Sequence, residues 1–271
     1  MHRQCCVGPR GFPGIPGIPG LTGATGATGI GTVLPEGSAY SDYLYWNPTG
    51  AGGWEVGSST VHLGLNAGAT GQADLGVAIG VYAGASGQGE GCVAIGFKAG
   101  YSGQLPSAVA IGHTAGQIDQ GDSAIAIGVQ AGTLNQQGSA VAIGTNSGQL
   151  NQNTLSVAIG YSAGNNTQLN NAVAIGPYAG NAFQRIGAVA IGRQAGQTNQ
   201  GANSIAIGNL AGQTGQAQNS IALNASGAAL NVGATGFFVA PVRTVAVGSL
   251  PATAYPVYYD TVAKEFLYVT P

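Results

Sequence analysis

The chain has 271 residues, 49 of them Gly, and its 7 Lys and Arg against 9 Asp and Glu leave a net charge of −2. Gly stands at roughly two and a half times its usual share and charged residues reach 6% where about a quarter is usual, which excludes an ordinary globular domain composition. A hydrophobic content of 44% excludes a disordered chain, the scattered basic residues exclude a phosphate-binding patch, and no apolar run is long enough to span a bilayer.

Residues 1–7 read as an N-terminal anchor. They contain Cys5 and Cys6 but no apolar segment of the secretory type, so two expectations stay open: the chain reaches the outside without the general secretion route, or its leader lies outside this sequence. Residues 8–31 run GPR-GFP-GIP-GIP-GLT-GAT-GAT-GIG, with Gly8, Gly11, Gly14, Gly17, Gly20, Gly23, Gly26 and Gly29 in strict phase. Three polyproline II chains wound together leave no space for a Cβ at their axis, which gives the triplet glycines a physical reason. Pro13, Pro16 and Pro19 pre-set φ for the same helix. The segment is therefore predicted to be a collagen-like stalk, a rod of roughly 70 Å, and it sets the number of chains at three. In such a trimer Cys5 and Cys6 bring six thiols together. They are candidates for interchain disulfides, with reduced thiols or another kind of anchoring as the alternative.

Residues 32–60 contain YLYWNPTGAGGWEVG, two aromatic runs around Asn47-Pro48 and glycines, which predicts a β-hairpin. An open solenoid end needs a cover, and capping is the role expected of this hairpin. The alternative is a sugar-binding surface of Tyr43, Tyr45, Trp46 and Trp54.

Residues 61–224 are ten 16-residue repeats plus a degenerate one. Gly recurs from Gly64 to Gly208 at a period of 16, with a second Gly four residues after each, from Gly68 to Gly212. A Gln follows each first Gly by eight: Gln72, Gln88, Gln104, Gln120, Gln136, Gln152, Gln168, Gln184, Gln200 and Gln216. Before each Gly stands a short alternating strand such as Ser156-Val157-Ala158-Ile159, and the degenerate copy has Asn224 in place of Gly. Stacked about 4.8 Å apart, such copies build a parallel sheet along the long axis. The fold class is an all-β parallel β-solenoid (β-roll), trimeric, with an N-terminal collagen triple helix. Val157 and Ile159 on one face are expected to be its buried aliphatics, and the alanine face on the other, from Ala78 to Ala206, to contact a neighbouring chain. The Gln column is expected to be an amide ladder. Residues 225–271, including Tyr258-Tyr259-Asp260 and Glu265-Phe266-Leu267-Tyr268, are expected to form a C-terminal β cap or knob.

Chemistry is sparse. Asp119 and Asp122 are one close acidic pair, and Asp74 and Glu90 fall at different repeat positions, so glycoside hydrolysis is not expected. His62 and His113 stand apart, which draws no zinc constellation, and Cys92 fills a small slot held elsewhere by Ala108, Ala124 and Ser156. Asn165 and Asn224 match the glycosylation sequon. No enzymatic activity, catalytic residue, cofactor or metal is expected.

The Ser/Ala-Val-Ala-Ile-Gly strand resembles the repeat of trimeric autotransporter adhesin heads, which are trimeric parallel β-rolls with usually shorter repeats. The fuller Val-Ala-Ile-Gly-x-x-Ala-Gly-x-x-x-Gln pattern resembles fibre proteins of large DNA viruses and tailed phages, and so do the flanks Asp42-Tyr43-Leu44-Tyr45-Trp46-Asn47 and Gly236-Phe237-Phe238-Val239-Ala240-Pro241-Val242-Arg243. The resemblance implies a stiff homotrimeric fibre or spike on a virion surface, adhesive at its tip. Two alternatives stay open: a self-assembling filament of a bacterial spore or cell surface, with trimers joined end to end, and a glycan-binding adhesin. The expected partners are further copies of the chain and a cell-surface glycan or receptor, with no nucleic acid and no membrane insertion.

Overall fold

The computed structural model describes residues 34–47, 52–57 and 59–242, together with the backbone pairing of Val257–Asp260 and Glu265–Tyr268. Cys5, Cys6, the triplet glycines Gly8 to Gly29 and the stalk they predict lie outside the described residues. The chain divides into two units, Met1–Val56 and Gly57–Pro271.

In the first unit Leu44–Asn47 pairs antiparallel with Gly53–Val56. Trp46 lies opposite Trp54, their rings edge to face at 5.8 Å. Glu55 accepts from Tyr45 Oη at 2.6 Å and from Asn47 Nδ2 at 2.9 Å. Holding that phenol proton against a carboxylate pushes the Tyr45 pKa up to about 12.

The second unit is a parallel β-solenoid of about 11 turns with 16-residue rungs, and no helix occurs among the described residues. Every strand of the repeats pairs with its copy one repeat away, whereas Val257–Asp260 pairs antiparallel with Glu265–Tyr268. Val93 lies beside Val109, Ala94 beside Ala110 and Ile95 beside Ile111. The Val-Ala-Ile strands form a 12-stranded sheet from Val61–Leu63 to Gly236–Ala240. Stacking thus continues past Asn224, into the segment read from the sequence as the C-terminal cap.

Each rung also has a second strand that the sequence pattern did not reveal, such as Ser86–Gln88 or Leu150–Gln152. These form an 8-stranded parallel sheet, extended by isolated bridges at Thr198 and Thr214. Its middle residue is left-handed in every rung, with φ of 66° at Gly87, 54° at Asn135 and 60° at Phe183. Gly, Asn and Asp tolerate that conformation, which is why this strand carries no β-branched signature.

The two sheets enclose a core unlike the one expected. A typical rung sends four residues inward, and in one of them Ala110, Ala115, Gln120 and Ala124 are all 0% exposed. Val and Ile point outward, with Ile175, Ile191 and Ile207 at 36%, 37% and 40% exposure. The facing of the strand is therefore the reverse of the sequence reading: alanine fills the interior and the β-branched residues lie outside. The reason is the glutamine. Its side chain crosses from one sheet to the carbonyls of the other, and the gap it sets leaves room opposite for a methyl group only.

Candidate functional site

Two features repeat through the solenoid and one breaks the repeat. The first is the buried amide column. Eight hydrogen bonds of 3.0–3.3 Å link successive side chains from Gln88 through Gln104, Gln120, Gln136, Gln152, Gln168, Gln184 and Gln200 to Gln216, each Nε2 donating to the Oε1 one rung on. The same nitrogens donate across the core to the Val or Ile carbonyl that opens the rung, as Gln120 does to Val109 at 2.8 Å. A third acceptor lies four residues on, as with Ala108 O at 3.1 Å from Gln104. The second glycine of each repeat exists for this amide: a Cβ on Gly100, at φ +51°, would sit 2.6 Å from Gln104 Oε1. The first glycine serves the stacking, since a Cβ on Gly96 would meet Gly112 O at 2.6 Å.

Gln72 does not join the ladder. His62 occupies the alanine column beside Ala78, and its Nδ1 lies 3.1 Å from Gln72 Oε1. Gln72 Nε2 bonds Val61 O and Gly76 O instead, and Gln88 Oε1 is buried with no partner. The last turn ends the columns as well. Asn224 replaces the turn glycine and bonds Asn209 O and Ala228 O at 2.8 and 2.6 Å. Val232, 2% exposed, takes the place of glutamine, since Ala217 N donates to its carbonyl as Gly201 N donates to that of Gln216. Phe238 takes the place of alanine beside Ala222. Asn224 is 5% exposed, and Asn165 bonds Asn146 O and Gln149 Oε1, so neither sequon offers a free amide.

No family model, curated protein or solved structure matches the chain.

The second repeated feature is the outer face of the 12-stranded sheet. One column runs Val61, Val77, Val93, Val109, Ile125, Val141, Val157, Val173, Val189, Ile205, Ile221, Phe237, and the other runs Leu63, Ile79, Ile95, Ile111, Ile127, Ile143, Ile159, Ile175, Ile191, Ile207, Leu223, Val239. No polar residue interrupts either column. Their regularity was visible in the sequence, but their outward direction was not.

The feature that breaks the repeat lies on the second sheet. Phe183, Arg185, Leu169, Thr167, Asn199 and Gln184 line a shallow groove of about 230 Å³. Its signal in the sequence was an aromatic residue in a column otherwise built of Gly, Asp, Asn and Thr. Aromatic contacts decorate the turn between the sheets: Phe97 stacks on His113 at 5.1 Å, Lys98 Nζ lies 5.4 Å from the Phe97 ring and 5.6 Å from that of Tyr101, and Tyr161 meets Tyr178 at 5.2 Å. The side-chain hydrogen bond that Tyr178 makes to Tyr161 holds its phenol proton and raises its pKa. Among the described residues no three His, Cys, Asp or Glu side chains cluster as metal ligands would.

Proposed function

We propose that the chain is the subunit of a structural fibre or spike, three copies packed in parallel with the outer Val and Ile columns facing a common axis. The observation that carries this reading is the apolar face itself. Folded monomers rarely expose contiguous apolar patches beyond a few hundred Å², and here two columns of aliphatic side chains extend over the whole 12-stranded sheet. The glycine triplets at residues 8–31 call independently for three chains. Three flat faces of equal length, each advancing one rung for every 16 residues, suit threefold packing in register.

The working role is mechanical display. Parallel stacking leaves few backbone groups open to solvent, which favours resistance to bending and proteolysis. Placement on a virion surface is supported by the resemblance of the Val-Ala-Ile-Gly-x-x-Ala-Gly-x-x-x-Gln repeat to viral fibre proteins. The filament alternative has less support, because the bulky His62 and Phe238 in the end positions of the alanine column do not suit direct stacking of one solenoid on the next.

Light scattering on the full chain tests the proposal. A mass of three chains is expected, falling to one chain in an Ile191→Lys, Ile207→Lys variant that keeps its far-UV spectrum, because both positions are outward and need no repacking inside. A one-chain mass for the unmodified protein removes the proposal.

A further inference from the structure

We infer that the groove at Phe183 and Arg185 is a binding site for an acidic saccharide. Four observations meet there. Phe183 is 50% exposed and sits at φ +60°, the left-handed backbone that this column adopts in every rung and that disfavours a bulky side chain. In the other rungs its place is taken by Gly71, Gly87, Gly103, Asp119, Asn135, Asn151, Thr167, Asn199 and Gly215, residues that mostly adopt left-handed backbone readily or, like Thr, carry a small side chain. The aromatic ring is therefore an addition to the repeat that the fold does not need. Arg185 is exposed, and its guanidinium has no hydrogen-bond or ion-pair partner among the described residues. Thr167 and Asn199 occupy the same column one rung to either side and line the same groove.

The chemistry this offers is specific. An exposed ring presents a flat apolar platform suited to the C–H face of a pyranose. The hydroxyl of Thr167, which donates to Asn166 Oδ1 at 3.0 Å, keeps its lone pairs to accept, and the amide of Asn199 both donates and accepts, as sugar hydroxyls require. An unpaired guanidinium with its planar fork of donors selects a carboxylate. Rungs follow each other at about 4.8 Å, a spacing of the order of one sugar ring, so neighbouring rungs can meet neighbouring parts of an oligosaccharide. A peptide supplies a carboxylate and backbone partners for the hydroxyl and amide, but an acidic peptide such as poly-glutamate has no C–H face of the ring type to lay on Phe183. The groove lies on the sheet opposite the Val and Ile columns, so this assignment does not depend on threefold association.

Calorimetric titration of the full chain tests it, with oligogalacturonate and sialyllactose as acidic probes, a cello-oligosaccharide as neutral control and poly-glutamate as the acidic peptide. Binding of at least one acidic saccharide is expected, weakened about tenfold or more by Phe183→Gly, which removes the stacking platform, and by Arg185→Gln, which also removes its salt dependence. Phe183→Gly keeps the fold, since Gly71, Gly87, Gly103 and Gly215 hold that place at φ of 62–71°. Gln137 already occupies the column of Arg185. An unchanged thermal midpoint in both variants checks this. Absence of binding to both acidic saccharides overturns the inference, as does equal binding of the neutral control or of poly-glutamate, or affinity that survives both substitutions. None of these outcomes bears on the fibre proposal, which is read from mass.

Discussion

A glutamine amide buried in an alanine core is costly unless each of its atoms is matched. Gln136 Nε2 lies 2.9 Å from Ile125 O, 3.0 Å from Gln152 Oε1 and 3.4 Å from Ala140 O, and its own oxygen accepts from Gln120 at 3.1 Å. Gln136→Leu strands the Gln152 oxygen, a buried unsatisfied group that costs about 1–3 kcal/mol, and takes one acceptor from the Gln120 amide, which keeps Val109 O and Ala124 O. A loss of about 2–4 kcal/mol in urea unfolding is expected. Gln216→Val breaks one ladder bond instead of two, the last, from Gln200, together with the donations to Ile205 O and Ser220 O, beside a rung where Val232 already stands, and about 1–3 kcal/mol is expected. The glycines offer a matched pair. Gly215→Ala pays only for its left-handed φ of +62°, about 1–2 kcal/mol, because nothing lies within 4 Å of the new Cβ. Gly100→Ala adds a clash with Gln104 and is expected to cost at least about 1 kcal/mol more by the same measurement. The Gly and Gln columns and their period were plain in the sequence. Their shared reason, an amide lying over a bare Cα, was not, because it is a contact between side chain and backbone that spacing alone does not display.

At the scale of the element, strands of three residues have no independent stability and hold their place through register alone. Deleting the 16 residues 125–140 joins Ala124 to Val141 as Ala108 is joined to Val109 and keeps every column in phase. The shortened protein is expected to fold with an unchanged shape of the far-UV spectrum. Deletion of only half that length sets the Gln column against the first Gly column, where stacking leaves no room for a Cβ, and that chain is expected to remain unfolded. The Val-Ala-Ile strand was legible from its alternation, since period two is a property of the backbone. Which face is interior was not legible. Hydropathy favours burying Val and Ile, and the actual arrangement follows from the length of a Gln side chain on the other strand. The second strand escaped for a related reason: its left-handed centre selects Gly, Asn and Asp, which read as turn residues.

For the whole molecule, an interior of methyl groups and amides has consequences for its response to pH. Among the described buried residues Cys92 is the one that titrates. Burial pushes its thiol pKa up, opposed by backbone hydrogen bonds, and Sγ donates to Leu105 O at 2.9 Å. With the folded value above the unfolded one of about 8.5, the contribution of this thiol to stability is complete below that pH and is lost as pH rises through the folded value. Cys92→Ala, which restores the residue of Ala108 and Ala124, is expected to flatten the alkaline limb of the stability profile and leave neutral pH nearly unchanged. Acid should have little effect on the solenoid core, which contains no carboxylate.

A pile of identical layers has no natural height, and left to itself it would accept one more layer at either face for as long as material lasted. The valine, phenylalanine and asparagine that replace Gln, Ala and Gly around residues 224–238 make the final layer unlike the others. The gene therefore counts the layers, and the chain carries its own measure of the solenoid, a built-in ruler graduated at about 4.8 Å.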